Sequence, residues 1–513
     1  MHTALPWEIS NKGAASADKT MKYLSTRDTQ KTPFTVSSAD AIKRGLAPDR
    51  GLFMPESIPT LTSEDFASLL TMRYEERAAD ILARFLTDYD KNLLLADCTA
   101  AYAADRFPGG AAPIVHIGDN IHSLELWHGP TCAFKDMALQ IMPRLLSRAL
   151  TMTGEKRLAH ILVATSGDTG KAALEGYRDV DGVKITVFYP VDGVSPMQKR
   201  QMTTQLGENV NVCAVYGNFD DAQNGVKAIF SDREAAARLD KSGIFLSSAN
   251  SINWGRLAPQ IVYYVSAYCD LLNAGTIKMG EKVNFCVPTG NFGNIFAAYL
   301  AKLMGLPIGH LVCASNSNNI LTDFLNTGVY DRNRAFYTTM SPSMDILISS
   351  NLERLLCFTA GEERTAAYME SLKKDGAYTV DAEVLAAINE NFSGYFADEA
   401  ATAATIKTYF EKYGYLADTH TAVASHVLKE YREKTGDMTV AVIVSTASPY
   451  KFAQDVLSAV EGKEAVNGLD AFQCSEMLEK VTGVKVPQQV KELRNLPVRH
   501  KQQCLKDKMA EAV

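Results

Sequence analysis

The chain has 513 residues, 46% of them hydrophobic and 22% charged. That is an ordinary globular composition, long enough for two or three hydrophobic cores, since a single core stops growing at roughly 250–300 residues. Lys and Arg number 52 against 59 Asp and Glu, a net charge of −7, which offers no basic footprint for nucleic acid or anionic lipid and leaves small molecules as the expected ligands. No apolar run reaches the roughly 18 residues a bilayer-spanning helix needs. The nine cysteines contain no C-x-x-C pair and read as buried apolar residues or bystanders in a reducing compartment.

Residues 1–20 hold neither a signal-peptide apolar core nor an Arg-rich amphipathic face, so they are expected to be a flexible extension, and the cytoplasm the location. Helices and short strands follow up to about residue 110. From Leu158 short apolar runs rich in Val and Ile (HILVATSG, KITVFYPVDG, VNVCAVYGN, GIFLSSANS) alternate with helix-length stretches such as Pro196 to Leu206 and Asp220 to Leu239. A second series contains KVNFCVPTGNFGN, HLVCASNSN and MTVAVIVSTASP. Alternation of this kind predicts two α/β units built on parallel sheet. In such sheets ligands lie outside the carboxyl ends of the strands, so the loops there are the places to search.

In chain order, the first candidate is Lys135, set among Ala133, Phe134 and Met137 at the start of a helical pattern. An apolar setting removes hydration, disfavours the ammonium and makes the amine a Schiff-base nucleophile, although a lysine at a helix start can equally be solvated. Next comes Ala164-Thr165-Ser166-Gly167-Asp168-Thr169-Gly170, between a strand and a helix. Its hydroxyls and amides suit a carboxylate, but Ser or Asp there can also be an ordinary helix cap. The third loop runs from Ser248 to Arg256; Asn250 and Ser251 are again plausible caps, whereas the Arg256 fork suits phosphate oxygens. The fourth, Pro288-Thr289-Gly290-Asn291-Phe292-Gly293-Asn294, follows a strand and opens a helix. Gly290 and Gly293 let the main chain wrap closely round an anion, with positive φ where the turn needs it, and the helix dipole favours a phosphate. Glycines placed only for turn geometry are the bland alternative.

Taken together, HGPTCAFKD, SGDTG, SANSINWGR, PTGNFGN, SPSMDILISSNLERL and STASPYKF, in that order and preceded by MKYLSTRD and RGLAPDRGLFMP, resemble threonine synthase of the longer bacterial and fungal type. The resemblance runs from about Met21 to the C-terminal region. It implies an α/β architecture: two parallel-sheet domains of the tryptophan-synthase-β type plus an N-terminal α+β domain. The implied boundaries are 21–110 for the N-terminal domain, 111–157 with 275–462 for a large cofactor-binding domain, 158–274 for a small domain, and 463–513 for a C-terminal helical region.

The cofactor implied is pyridoxal 5'-phosphate, bonded to Lys135, with Gly290, Asn291, Phe292, Gly293 and Asn294 as the phosphate cradle. Thr446 would meet the pyridine nitrogen, and Asp168 would lie near the ring. Ser166 and Thr169 would receive the substrate carboxylate, and Asn250, Ser251 and Arg256, again with Thr169, the substrate phosphate. Ser341 to Arg354 and Asp418 to Thr421 would line or support the cleft. The chain departs from the family at Thr419, Leu352, Ser448 and Tyr450, the last two beside the expected pyridine contact. The implied reaction converts O-phospho-L-homoserine and water to L-threonine and phosphate, by a monomer or homodimer using neither nucleic acid nor membrane and no metal. The alternatives are a dehydratase of threonine or serine, a phosphohomoserine phospholyase, or a non-catalytic nucleotide-binding α/β protein.

Overall fold

The computed structural model describes residues 20–191 and 194–513. What was expected of residues 1–20 falls, Thr20 apart, outside the described residues. A short antiparallel pair, β1 (Tyr23–Ser25) and β2 (Phe53–Pro55), lies among the first helices, including Tyr74–Phe85. Tyr23 and Phe85 meet Trp254 edge to face, with ring centroids 5.5 and 5.6 Å apart. This aromatic contact fixes the N-terminal region on the first residue of the helix Trp254–Asn273.

The chain then forms β3 (Ile114–Gly118) and β4 (Ile121–Glu125), followed by β5 (Leu158–Ala164), β6 (Val183–Pro190), β7 (Val210–Tyr216) and β8 (Ile244–Ser247). After the helix Trp254–Asn273 come β9 (Val283–Pro288) and β10 (Ile308–Ser315), a small pair β11 (Val329–Asp331) and β12 (Ala377–Thr379), then β13 (Phe392–Phe396), β14 (Ala441–Ser445) and β15 (Gln502–Leu505). The larger sheet has the order β13-β10-β9-β14-β4-β3, parallel except where β3 meets β4. The smaller has the order β15-β7-β6-β5-β8 and is parallel throughout. The two parallel-sheet units and the N-terminal region are thus as the sequence implied. The central strands β9 (VNFCVP) and β14 (AVIVS) are buried at every residue, as unbroken apolar runs require when helices cover both faces of a parallel sheet.

Two local expectations change. The stretch Asp220 to Leu239 is two helices, Phe219–Ser231 and Arg233–Lys241. They part at Asp232, whose carboxylate accepts the amides of Glu234 and Ala235 at 2.9 Å and so caps the second helix. The C-terminal region, expected to be helical, has helices at Ala471–Thr482 and Gln488–Glu492 and a final 3-10 helix at Lys506–Ala512, but it also contains β15, which pairs with β7 at the edge of the smaller sheet. Its sequence QQCL carries no strand pattern of its own; the unpaired edge of β7 supplies the backbone partners.

Candidate functional site

The five carboxyl ends of β4, β5, β8, β9 and β14 carry the loops that the sequence singled out. The loop after β4 is sewn to β14: Leu126 donates its amide to Ser445 O at 3.0 Å, and Phe134 its amide to Thr446 O at 2.8 Å. Lys135 is therefore delivered as the first residue of a short helix, Lys135–Leu139, over the end of the larger sheet. Its side chain keeps only 11% exposure; its Nζ lies 3.8 Å from Asp168 Oδ2 and 3.4 Å from Ser343 Oγ, and 4.8 Å from the centre of the Phe134 ring. Burial pushes the Lys135 ammonium down to about 8; Asp168 opposes this, while Arg256 and Lys451 add to it.

Asp168 opens the helix after β5. Its Oδ1 accepts Lys451 Nζ at 2.7 Å and Gln198 Nε2 at 2.9 Å, and its Oδ2 accepts the Ser343 hydroxyl at 3.3 Å. Burial alone would raise this carboxyl, but Lys451 and Lys135 outweigh it and hold Asp168 far below the usual carboxylate range. Neither Ser166 nor Asp168 caps the helix. Thr165 Oγ1 takes the amides of Gly167 and Gly170, each at 2.9 Å. The half-buried Ser166 and Thr169 hydroxyls then make no hydrogen bond among the described residues.

After β8 the cap of the helix Trp254–Asn273 is Asn253, whose Oδ1 takes the Gly255 amide at 2.9 Å. That leaves Asn250 and Ser251 outside the capping role. Asn250 Oδ1 is buried without a hydrogen-bond partner, and Ser251 Oγ accepts Asn351 Nδ2 at 3.2 Å. Arg256, 4% exposed, spends one bond on Ala249 O at 2.8 Å and meets no carboxylate among the described residues. Burial pushes its guanidinium down to about 10. A buried cation without a counter-ion is costly, and the donors of its fork that no protein group accepts can receive an anion.

In the loop after β9 the positive φ falls on Phe292 (φ 63°) and on neither glycine. Phe292 turns its ring into the core, 5.6 Å from Phe392, so it can reach a ligand only through its amide. Gly290 is small for another reason: a Cβ there would come within 2.8 Å of Ser343 O. The loop is held from the segment around Asn351. Ser349 Oγ donates to Gly290 O at 2.7 Å, and both Asn351 N and Asn351 Nδ2 donate to Asn291 O at 3.0 Å. Asn294 Oδ1 takes the hydroxyls of Tyr263 and Tyr264, while its Nδ2 is buried with no acceptor.

Three residues of segments expected only to line or support the cleft take specific contacts in the site, and Lys451, to which the sequence reading gave no role, joins them. Ser343 touches both Lys135 and Asp168, and its amide donates to His420 Nε2 at 3.2 Å. His420 in turn gives its Nδ1 hydrogen to Asp418 Oδ2 at 2.8 Å, so one imidazole tautomer satisfies both contacts. Arg354, fully buried, donates to Ile252 O at 2.7 Å and to Phe53 O at 3.2 Å, locking the Asn250 loop to the N-terminal region. Lys451 lies under Asp168. All four stand inside motifs that were visible in the sequence, but nothing in their spacing says which face they present. Ser448 and Tyr450, where the chain departs from the family pattern, hold the turn after β14: Ser448 Oγ accepts the Tyr450 amide at 3.3 Å, and the Tyr450 hydroxyl donates to Val484 O. Thr446 Oγ1 makes no hydrogen bond among the described residues and stays available to a ligand.

Residues 22–102 match the family described as threonine synthase N terminus, residues 115–446 the pyridoxal-phosphate dependent enzymes, and residues 421–506 the threonine synthase C-terminal family. Threonine synthase of Pseudomonas aeruginosa is 38% identical over 452 residues, 86% of this chain and 91% of that protein. The chain belongs to the threonine synthase family. Human threonine synthase-like 1 is 40% identical over 438 residues, 83% of this chain, and the chain spans 58% of that relative's length. Among solved structures, PLP-bound threonine synthase from Brucella melitensis superposes with a TM-score of 0.83 at 37% identity, covering 96% of this chain and 98% of that one. Threonine synthase from yeast gives 0.85 at 34% identity, covering 97% and 98%.

The residues present fit the cofactor of the family. No amide from Gly290 to Asn294 donates to a protein acceptor among the described residues, and the orphaned Asn294 Nδ2 lies beside them. Free amides at a helix start are what a phosphate monoester needs. Lys135, with its lowered basicity, can bond an aldehyde, and the free Thr446 hydroxyl can meet a pyridine nitrogen.

Proposed function

We propose that this chain is a threonine synthase, converting O-phospho-L-homoserine and water to L-threonine and phosphate. The observation that carries the reading is Arg256, a buried guanidinium with no carboxylate partner among the described residues, close enough to depress Lys135. With the cofactor phosphate assigned to the Gly290 loop and the substrate carboxylate to Ser166 and Thr169, a further anion receptor is needed only if the substrate is also phosphorylated. That favours phosphohomoserine over unphosphorylated serine or threonine.

In this reading Lys135 holds the cofactor at rest, and Gly290, Asn291, Phe292, Gly293 and Asn294 bind its phosphate through amides and the Asn294 side chain. The Thr446 hydroxyl would meet its ring nitrogen, with Asp168 near the ring. When bound, pyridoxal phosphate supplies an electron sink for the charge left at the substrate α-carbon. Ser166 and Thr169 hydroxyls orient the substrate carboxylate. Arg256, with Asn250, Ser251 and Thr169, holds the γ-phosphate and stabilises it as it leaves. The Lys135 amine would take the protons at Cα and Cβ, return one at Cγ as the phosphate leaves and, after water adds at Cβ, return the other at Cα. An amine with a pKa of about 8 suits both giving and taking protons near neutrality. The reading includes a monomeric or homodimeric cytoplasmic enzyme of small molecules. The net charge of −7 fits small-molecule ligands rather than nucleic acid.

The test is incubation with O-phospho-L-homoserine while threonine and phosphate are both quantified. Equimolar release supports the reading. A 2-oxo acid in place of threonine would assign a phospholyase, and a protein with no borohydride-sensitive absorbance would be a binding module.

A further inference from the structure

Beside Lys135 the site holds a second buried lysine that the proposed reaction does not use. Lys451 follows β14 in a 3-10 turn (Pro449–Phe452), and its side chain is completely buried. Its Nζ makes three contacts: Asp168 Oδ1 at 2.7 Å, Thr131 O at 2.9 Å and Gln201 Oε1 at 3.1 Å. Its ammonium hydrogens are thereby all engaged. Lys135 reaches the other oxygen of the same carboxylate, at 3.8 Å. Asp168 thus stands between two lysines, tightly held by one and loosely by the other.

The asymmetry matters because only one of them has proton chemistry to do. If Lys135 were the sole counter-ion of Asp168, taking its proton away would strand a buried carboxylate without a compensating charge. Lys135 would then be locked as an ammonium. A cation that never takes part in the reaction removes that obstacle.

We propose that Lys451 is a fixed counter-charge that keeps Asp168 an anion in every protonation state of Lys135, and so leaves Lys135 free to give up and take back a proton. Lys451 is a positioning residue that acts through Asp168. The charged groups that act on Lys135 are Asp168 and Lys451, Arg256 on the helix after β8, and Asp136 on its own short helix. Those that respond to Lys451 include Asp168, Asp136, Cys132 and Lys171. The inference rests on Lys135 being the proton-transfer residue of the proposed function.

The test reads Lys135 itself, in the full-length chain freed of cofactor: the rate of Lys135 carbamylation by cyanate is followed by peptide mass spectrometry from pH 6 to 10. In Lys451→Met, Asp168 should pair with Lys135 alone, and the midpoint of Lys135 reactivity should rise by about one pH unit, a roughly tenfold slower modification below the midpoint. Lys451→Arg, which keeps the charge, should restore most of the wild-type profile. Asp168→Asn/Lys451→Met removes the ion pair as a unit, so it avoids an uncompensated carboxylate if the single variant fails to fold. Its Lys135 midpoint should not rise above wild type. An unmoved midpoint in folded Lys451→Met, a Lys451→Arg profile equal to that of Lys451→Met, or a raised midpoint in the double variant would each overturn the proposal. Because this readout uses no substrate, its failure leaves the threonine synthase assay untouched, and the reverse holds too.

Discussion

Replacing Arg256 by leucine separates a substrate-binding role from a structural one, because the structure makes the two roles predict opposite results. The guanidinium is 4% exposed, gives one bond to Ala249 O and has no carboxylate partner among the described residues. Its folded-state contribution is therefore one hydrogen bond, worth about 1 kcal/mol, set against the burial of an uncompensated charge. Leucine should leave stability within about 1 kcal/mol, which in a chain of this size is a Tm shift of no more than about 2 °C. The remaining donors of the fork are held in place before substrate arrives. Losing such a preorganised donor to a developing anion costs about 2.7–4 kcal/mol, or about 10²–10³ in rate.

Steady-state kinetics on O-phospho-L-homoserine should show kcat/KM lowered by that factor, with KM raised and kcat reduced, since the phosphate gathers charge as it leaves. The absorbance of the bound cofactor should not change, because its cradle lies on the loop after β9. Slow deamination of unphosphorylated serine or threonine should lose far less. Equal losses on both substrate types, or a large fall in Tm with little change in kcat/KM, would sink the argument and make Arg256 a packing residue.

Lys135→Ala should abolish turnover and the borohydride-reducible absorbance without unfolding the chain; a reducible chromophore in the variant would exclude Lys135 as the attachment point. Gly290→Ala should weaken cofactor binding, measured by absorbance titration, more than Gly293→Ala, because a Cβ at 290 meets backbone at 2.8 Å whereas one at 293 meets the Asn351 side chain at 3.3 Å. Overpacking of this kind costs about 1–3 kcal/mol, and equal affinities in the two variants would contradict it. In the N-terminal region, hydrogen bonds from Arg84 hold the Asp65 carboxyl down at about 2, below its ordinary value. Its stabilisation is therefore present above about pH 4 and lost as pH falls towards 2. Asp65→Asn should lower Tm at pH 6 by the equivalent of about 1 kcal/mol, the pair being partly solvated, and the deficit should narrow at pH 3; a deficit independent of pH would exclude the ion pair as its cause.

Strand and helix alternation from Leu158 to Ser445, the parallel sheets and the loops after β4, β5, β8 and β9 could be read from residue order alone. Their causes are local: apolar runs of strand length, glycines and hydroxyls at turns, and a helix pattern after each. Lys135, Arg256 and the Gly290 loop are legible for the same reason, since each sits at a fixed offset from a strand end. What lies beneath them was not. Lys451 is 283 residues from Asp168, and Ser343 is 208 from Lys135; only sheet order brings their loops together, and linear spacing carries no information about which side chains then share a desolvated volume. The capping roles were misplaced in sequence for a related reason, because Ser, Asp, Asn and Thr compete for the same amides, and the backbone geometry gave them to Thr165 and Asn253. The strand β15 is the extreme case: its residues have no strand signal, and the open edge of β7 decides its conformation. Chemistry that depends on residue type was therefore written in the sequence, whereas the charge balance that sets the basicity of Lys135 exists only once burial has removed the water that would screen it.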